Sequence, residues 1–184
     1  MTALDTAMRS RTITWHDPAD TRAQLTGLDG YERLVAMQHG DAAAPPAVAL
    51  LGMSLDEVER GRTVFSVVAD ELFENPMGTM HGGIVATLVD TAMGCAISST
   101  LPADDGFTTL ELSTNYVRPI TTATGRIAAS VGSVMTSARL APRSARSMPT
   151  SRVTPAPKRT LDTAISHAMS FAMVSAIVVA ETAA

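Results

Sequence analysis

The sequence has 184 residues, a length typical of one domain with a single hydrophobic core. Hydrophobic residues make up 46% of it and aromatic residues only 4%, which excludes a chain disordered throughout and predicts a mainly aliphatic core. The net charge of -4 gives no reason to expect nucleic acid or an anionic membrane as partner, and the single cysteine, Cys95, excludes an intramolecular disulfide.

Residues 1–45 are predicted to form an N-terminal arm, a short helix and a linker. The first twenty-odd residues make up the arm. Apolar side chains at helical spacing between Leu28 and Met37 predict the helix, and Gly40 can end it. The linker is the Ala- and Pro-rich run DAAAPPA at 41–47.

Two strands are predicted to follow the linker. Aliphatic and β-branched side chains favour one strand over Val48–Met53 and another over Thr63–Ala69. Gly61 is the turn residue between them. Further on, Asn75 to Gly78 has the composition of a turn, because proline fixes φ and glycine permits positive φ.

The longest predicted element is a helix from Ile84 to Ser99, at about residues 83–99. It lacks proline and is apolar on almost every face, a pattern typical of a buried helix. Alternating side chains predict a strand over 108–117, and another is predicted over 125–134. We therefore expect an α+β domain at 46–135, in which an antiparallel sheet surrounds one central helix.

The segment from 136 to 184 is atypical of such a domain. Residues 136–160 hold six basic residues, no acidic residue and four prolines, and they show no helix or strand period. The tail is either genuine and divergent, or its reading frame is shifted. In either case, 165–179 could supply a replacement strand or helix.

Nothing in the sequence predicts export or membrane insertion. The first twenty residues contain no apolar run of the length that a signal peptide needs, so a cytoplasmic location is expected. The most apolar window, 164–180, is interrupted by His167 and is shorter than the ~20 residues of a spanning helix.

Asp90 is the most informative single residue, because it is the only charged side chain in the predicted buried helix. Burying an unpaired carboxylate is costly, so a partner or a function must account for it. It could be a structural residue bonded to the backbone or to Thr87, or it could belong to a site, and the residues alone leave both readings open.

The segment His81-Gly82-Gly83 begins the same helix. Free N–H groups and the positive end of the helix dipole favour a developing negative charge there. Taken alone, the two glycines could equally form a tight turn with His81 as a capping side chain, and Asn75 could be simply the first residue of a turn.

Three elements in order carry a family resemblance: NPMGTMHGG at 75–83, Asp90 nine residues after the histidine, and TLELSTNYVRP at 109–119. Together they resemble the PaaI-like (phenylacetate-degradation type) acyl-CoA thioesterases of the hotdog fold. The resemblance covers about residues 46–135 and implies an antiparallel sheet wrapped around a long central helix.

The resemblance also implies roles for individual residues. Asp90, from a neighbouring subunit, is implied as general base or nucleophile, and Gly82 as the oxyanion donor. Asn75 and His81 are implied to place the thioester, and Thr109 to hold the attacking water. The implied substrate-binding residues border the coenzyme A site: Gly83, Asn115, Tyr116, Arg118 and Pro119.

The implied reaction is hydrolysis of an acyl-CoA to a free acid and coenzyme A by a homodimer or homotetramer, with active sites at the subunit interface. Neither metal nor separate cofactor is expected, since coenzyme A is part of the substrate. The alternative is a non-catalytic hotdog protein that binds acyl-CoA or has a structural role. A hydratase of the same fold is less favoured, because the sequence shows no separate Asp/His pair of the hydratase kind. The sequence shows no G-x-S-x-G motif, phosphate loop or metal-ligand spacing.

Overall fold

A computed structural model describes residues 8–109, 111–132, 169–170 and 177–180. The helices are α1 (Pro18–Gln24), α2 (Gly30–His39), α3 (Pro46–Leu51) and α4 (Gly82–Ser98). The strands are β1 (Ser54–Glu59), β2 (Arg62–Val68), β3 (Gly106–Phe107), β4 (Arg126–Val131), β5 (Met169–Ser170) and β6 (Ile177–Ala180). Short 3-10 helices lie at Glu71–Phe73 and Thr122–Thr124.

The main sheet has four strands in the order β1-β2-β4-β6, and each neighbouring pair is antiparallel. A tight turn joins β1 to β2, and Gly61 within it has φ of 80°, a conformation that glycine adopts readily. Strands β3 and β5 form a separate parallel pair. The pairing of β6 with β4 places a late segment of the chain in the main sheet.

Helix α4 packs across the main sheet and forms the centre of the core. Ala92 and Ala96 are fully buried, as are Ile127 and Ala129 of β4. Because alanine side chains are small, the helix axis can approach the sheet closely. The Thr63 hydroxyl of β2 donates a hydrogen bond of 2.8 Å to the Ala92 carbonyl, which ties the two layers together. The predicted α+β class, with a buried helix on an antiparallel sheet, is confirmed.

The predicted strand over Val48–Met53 is wrong, because Pro46–Leu51 is helix α3. Proline in the first turn fixes a helical φ, and Gly52 ends the helix with φ of 63°. The strand before β2 is instead β1, which the sequence did not predict. Its acidic residues are poor strand formers, but pairing with β2 imposes the extended conformation.

The predicted strand over 108–117 is also wrong for the residues that the structure describes there. Residues 108–109 and 111–117 adopt neither helix nor strand. The alternation of burial persists, since Leu112 and Thr114 are half-buried between exposed neighbours. Side-chain alternation alone does not make a strand, which also needs a partner for its backbone N–H and C=O groups.

The other predicted elements agree with the structure except at the N-terminus. Helices α2 and α4 and strands β2 and β4 lie at their predicted places, to within about three residues. The predicted arm contains helix α1, which begins after the cap residue Asp17. Of the atypical tail, only β5 and β6 are described, and the rest of 136–184 lies outside the described residues. No helix in the described part of the chain is long and apolar enough to cross a membrane.

Gly30 allows α2 to pack against the end of α4. A Cβ atom added at Gly30 would lie 1.7 Å from the Ser98 carbonyl oxygen. Because the obstructing atom belongs to the backbone, it cannot move aside by changing a rotamer. We expect Gly30→Ala to lower the free energy of unfolding by about 3 kcal/mol, at the upper end of the usual cost of overpacking.

Urea denaturation measures this effect, and Gly106→Ala is the matched control. A Cβ at Gly106 would meet no described atom within 4 Å. Its stability should therefore stay close to that of the wild-type protein. Equal stability of the two variants would contradict the proposed contact between α2 and α4.

Candidate active site

The N-terminus of α4 leaves one backbone N–H group available. His81 is the cap residue, and its Nδ1 atom accepts a hydrogen bond of 3.0 Å from the Gly83 N–H. The Ile84 N–H donates to the His81 carbonyl at 2.9 Å. Among the described residues, the N–H of Gly82 has no acceptor, so it can donate to a ligand at the positive end of the helix dipole.

Tyr116 contacts Gly82 directly. The Tyr116 hydroxyl donates a hydrogen bond of 2.9 Å to the Gly82 carbonyl. A Cβ on Gly82 would lie 3.3 Å from Cζ of the tyrosine ring, which is closer than nearly all ordinary contacts. The Met80 N–H donates to the Ile120 carbonyl at 2.8 Å, so two bonds hold the segment around Tyr116 beside the start of α4.

Asp90 of the same helix and Thr109, two residues after β3, form a second group. The Thr109 hydroxyl donates a hydrogen bond of 2.7 Å to Oδ1 of Asp90, which is half-buried. The Thr87 hydroxyl instead donates to the Gly83 carbonyl at 2.8 Å. Thr87 therefore does not satisfy the carboxylate, and the interpretation that pairs it with Asp90 is wrong.

The two groups are well separated within one chain. Asp90 follows Gly82 by eight residues, and an α-helix rises 1.5 Å per residue, so they lie about 12 Å apart along the axis. A donor and a base that act on the same carbonyl must each come within about 3 Å of the reacting atoms. Within one subunit, Gly82 and Asp90 therefore cannot act on one carbonyl group.

Asn75 holds the loop that leads into α4. Its Oδ1 accepts hydrogen bonds from the N–H groups of Met77 (2.9 Å) and Thr79 (3.3 Å). Its Nδ2 donates to the Thr79 hydroxyl at 2.8 Å. These bonds join Asn75 to its own loop, and they make it a residue that shapes the approach to His81.

The remaining predicted substrate-binding residues lie on the surface near Tyr116 or the helix start. Gly83 is exposed at the start of α4, and Asn115, Arg118 and Pro119 are exposed on the Tyr116 segment. The structure thus places Gly83 and Tyr116 at Gly82. Asn115, Arg118 and Pro119 are neighbours of Tyr116 in the sequence.

Phe107 is a neighbour of the Asp90–Thr109 pair that the sequence does not point to directly. A Cβ on Gly94 would lie 2.9 Å from Cζ of its ring, so the ring lies directly over the bare glycine. Gly94 is one helical turn after Asp90, and Phe107 is two residues before Thr109. The ring contact therefore helps bring Thr109 to Asp90. The sequence feature that could have indicated this contact is Gly94, which comes four residues after the only charged residue of the helix.

Cys95 lies on the same helix as Asp90, and its thiol is strongly perturbed. Burial, with a smaller contribution from the negative charge of Asp90, raises the pKa of Cys95 to about 12. A thiol that stays protonated at neutral pH is a poor nucleophile and a poor metal ligand. In the described ranges, no cluster of three or more His, Cys, Asp or Glu residues could hold a metal ion.

Comparison with known proteins identifies the same region. The family model named Thioesterase superfamily matches residues 77–136, which include Gly82, Asp90, Thr109 and Tyr116. A Halobacterium salinarum protein that is provisionally named an esterase is 31% identical over 105 residues. That match covers 52% of this chain and 66% of the relative, so the chain spans just under two thirds of the relative's length.

The chain is also similar to solved structures. A phenylacetic acid degradation-related protein from Ralstonia eutropha JMP134 has a TM-score of 0.51 and 24% identity, over 57% of this chain and 79% of its own. The PaaI protein of the E. coli phenylacetic acid degradation operon has a TM-score of 0.48 and 20% identity, over 58% and 70%. The first likeness, together with the family match, shows that the fold is the hotdog thioesterase fold.

The raised pKa of Cys95 makes a prediction about labelling by an alkylating reagent. The thiolate is the reactive form, and the pKa rises from an ordinary 9.0 to about 12 on folding. At pH 8 we expect native Cys95 to react about 10³-fold more slowly than the same thiol in urea. The chain has one cysteine, so the total rate of labelling reports this residue alone.

Asp90→Asn should increase the labelling rate of the native protein, because it removes a charge that raises the pKa of Cys95. Because folding raises the pKa of Cys95, the free energy of unfolding of the wild-type protein should fall as the pH rises from about 9 toward 12, where the unfolded thiol ionises and the native thiol does not. Equal labelling rates in native and unfolded protein would contradict the raised pKa of the half-buried Cys95.

Proposed function

We propose that the protein hydrolyses acyl-CoA thioesters to a free acid and coenzyme A, a proposal supported by the match of residues 77–136 to the family model named Thioesterase superfamily. The observation that carries the proposal is the pair of groups on α4. One is the Gly82 N–H, for which the described part of the chain supplies no acceptor, and the other is the Asp90 carboxylate, to which Thr109 donates at 2.7 Å. They supply an oxyanion donor and a base, which suffice for an electrophile as reactive as a thioester.

In the proposed reaction, Asp90 removes a proton from a water molecule. The water oxygen bonds to the thioester carbon while the carbonyl oxygen takes negative charge, which the Gly82 N–H stabilises. The C–S bond then breaks, and the coenzyme A thiolate leaves and takes up the proton that Asp90 removed from the water, which restores the Asp90 carboxylate. Thr109 places the water, because its hydroxyl donates to Asp90 and its oxygen lone pairs can accept from the water.

The same geometry supports an active site shared between two copies of the chain. Gly82 and Asp90 are about 12 Å apart along one helix, too far for one thioester carbonyl. In the proposed homodimer, the Gly82 N–H of one copy and Asp90 of the other face the same substrate. Ala86, a small residue on the Asp90 face, leaves room for the partner and the substrate.

We assign the coenzyme A portion of the substrate to the surface that carries Asn115, Arg118 and Pro119. All three side chains are exposed, and they lie beside Tyr116 in the segment whose Tyr116 hydroxyl and Ile120 carbonyl bond to the start of α4. A guanidinium group suits the phosphates of coenzyme A, since it is always charged and binds phosphate oxygens with planar geometry. Coenzyme A enters as part of the substrate, and the proposal needs no other cofactor. A cytoplasmic location remains part of the proposal.

Release of free thiol from aryl-, short- and medium-chain acyl-CoAs tests the reaction. We expect Asp90→Asn to lower kcat by at least about 10²-fold, since it removes the general base. Thr109→Val should lower kcat about tenfold by removing a hydrogen bond to a charged group, whereas Thr109→Ser should keep most of the activity.

The control is Asp104→Asn, which makes the same change in charge at an exposed carboxylate. It should be as active as the wild-type protein. Tight binding of acyl-CoA without turnover by a folded dimer would contradict hydrolysis and support the binding-protein alternative. Full activity in Asp90→Asn would contradict the assignment of the base.

A further inference from the structure

We propose that Tyr116 is a positioning residue, which together with His81 fixes the Gly82–Gly83 peptide and thereby aims the free N–H of Gly82. The inference rests on the proposed function, since the aimed N–H is the oxyanion donor of that reaction. We call the two hydrogen bonds from Tyr116 and His81 to this peptide the Gly82 clamp.

The Gly82 clamp holds one peptide group at both ends. The Tyr116 hydroxyl donates to its C=O at 2.9 Å, and its N–H donates to Nδ1 of His81 at 3.0 Å. A peptide group is planar, so two bonds at opposite ends restrict its rotation. The neighbouring peptide, which carries the Gly82 N–H, is joined to it through the Gly82 Cα atom, and its own C=O accepts a hydrogen bond of 2.9 Å from the Ile84 N–H.

The need for such a restraint follows from the sequence. Gly82 and Gly83 are the first two residues of α4, and glycine loses more conformational freedom on ordering than any other residue. Helix ends also fray. A donor at this point would therefore vary in direction unless contacts from outside the helix fixed it.

Tyr116 is poorly explained as a core residue. Its side chain is 57% exposed, yet its ring lies 3.3 Å from the position of a Gly82 Cβ. The Gly82 carbonyl is within reach of the helical N–H four residues later, so it does not need the tyrosine to be satisfied. The bond from Tyr116 is then an added restraint on direction. A side chain on Gly82 would require the ring to shift by a few tenths of an ångström.

The direction of the donor bears on the rate more than on substrate binding. An oxyanion donor acts on charge that develops in the transition state, so its misalignment lowers kcat and leaves KM nearly unchanged. A residue that only contacted the substrate would change KM instead. This difference separates positioning from binding.

The test compares Tyr116→Phe with Tyr31→Phe, the same change at the other tyrosine of the chain. Tyr31 lies on α2, where its ring contacts the Arg60 guanidinium at 5.0 Å. We expect Tyr116→Phe to lower kcat about five- to tenfold, the equivalent of one hydrogen bond, with KM changed less than about twofold. Tyr31→Phe should leave both constants unchanged.

Amide hydrogen exchange gives a second measurement that does not depend on activity. In Tyr116→Phe, exchange at the Gly83 N–H should become about fivefold faster, while exchange at Val89, in the middle of α4, should stay the same. Tyr31→Phe should alter neither amide.

The outcomes separate this inference from the proposed function. An active wild-type protein with unchanged kcat in Tyr116→Phe would overturn the inference, as would a rise in KM alone. A wild-type protein without turnover on any acyl-CoA would contradict the proposed function, and exchange at Gly83 would then decide the clamp by itself. Unchanged exchange in Tyr116→Phe would overturn the clamp in either case.

Discussion

Ala92 and Ala96 lie fully buried where α4 crosses the sheet, and the Thr63 hydroxyl bonds to the Ala92 carbonyl at 2.8 Å. This close packing fixes the helix on β2 and β4, and every group of the candidate site is carried by that helix or by a segment that contacts it. Gly82 lies at the helix start and Asp90 two turns further on. Their separation is therefore set by the backbone geometry of the helix and cannot adjust to a substrate.

A rigid helix with an oxyanion donor at its start and a carboxylate about 12 Å away has a direct consequence for the mechanism. The proposed hydrolysis needs the two groups at one carbon atom, so it needs two helices. The subunit interface is then part of the active site, and loss of the dimer would remove activity even with every residue of the site intact. The segment 108–117, with Thr109 bonded to Asp90 and Tyr116 bonded to Gly82, contacts both groups on the same helix.

The sequence predicted the parts of this structure that depend on strong local patterns. The apolar run of α4, the β-branched residues of β2 and the motif around His81 and Asp90 all lie where they were expected. Prediction from the sequence failed where pairing with another strand decides the conformation. The acidic β1 is a strand because β2 pairs with it, and 108–117 alternates without forming a strand in its described part. The hydrogen bond from Tyr116 to Gly82 was equally beyond a local pattern, since it joins residues 34 positions apart.

The shared active site is tested most directly by mixing two inactive variants. Asp90→Asn removes the base, and Gly82→Pro removes the donor at a first helical position, where proline is tolerated and the extended His81 suits it. After unfolding and refolding together in equal amounts, one site in four has an intact Gly82 from one copy and an intact Asp90 from the other. A shared active site predicts recovery of about a quarter of wild-type thioester hydrolysis per subunit, from two preparations that each retain about 1% or less. A mixture as inactive as its components, in protein shown to exchange subunits, would contradict it.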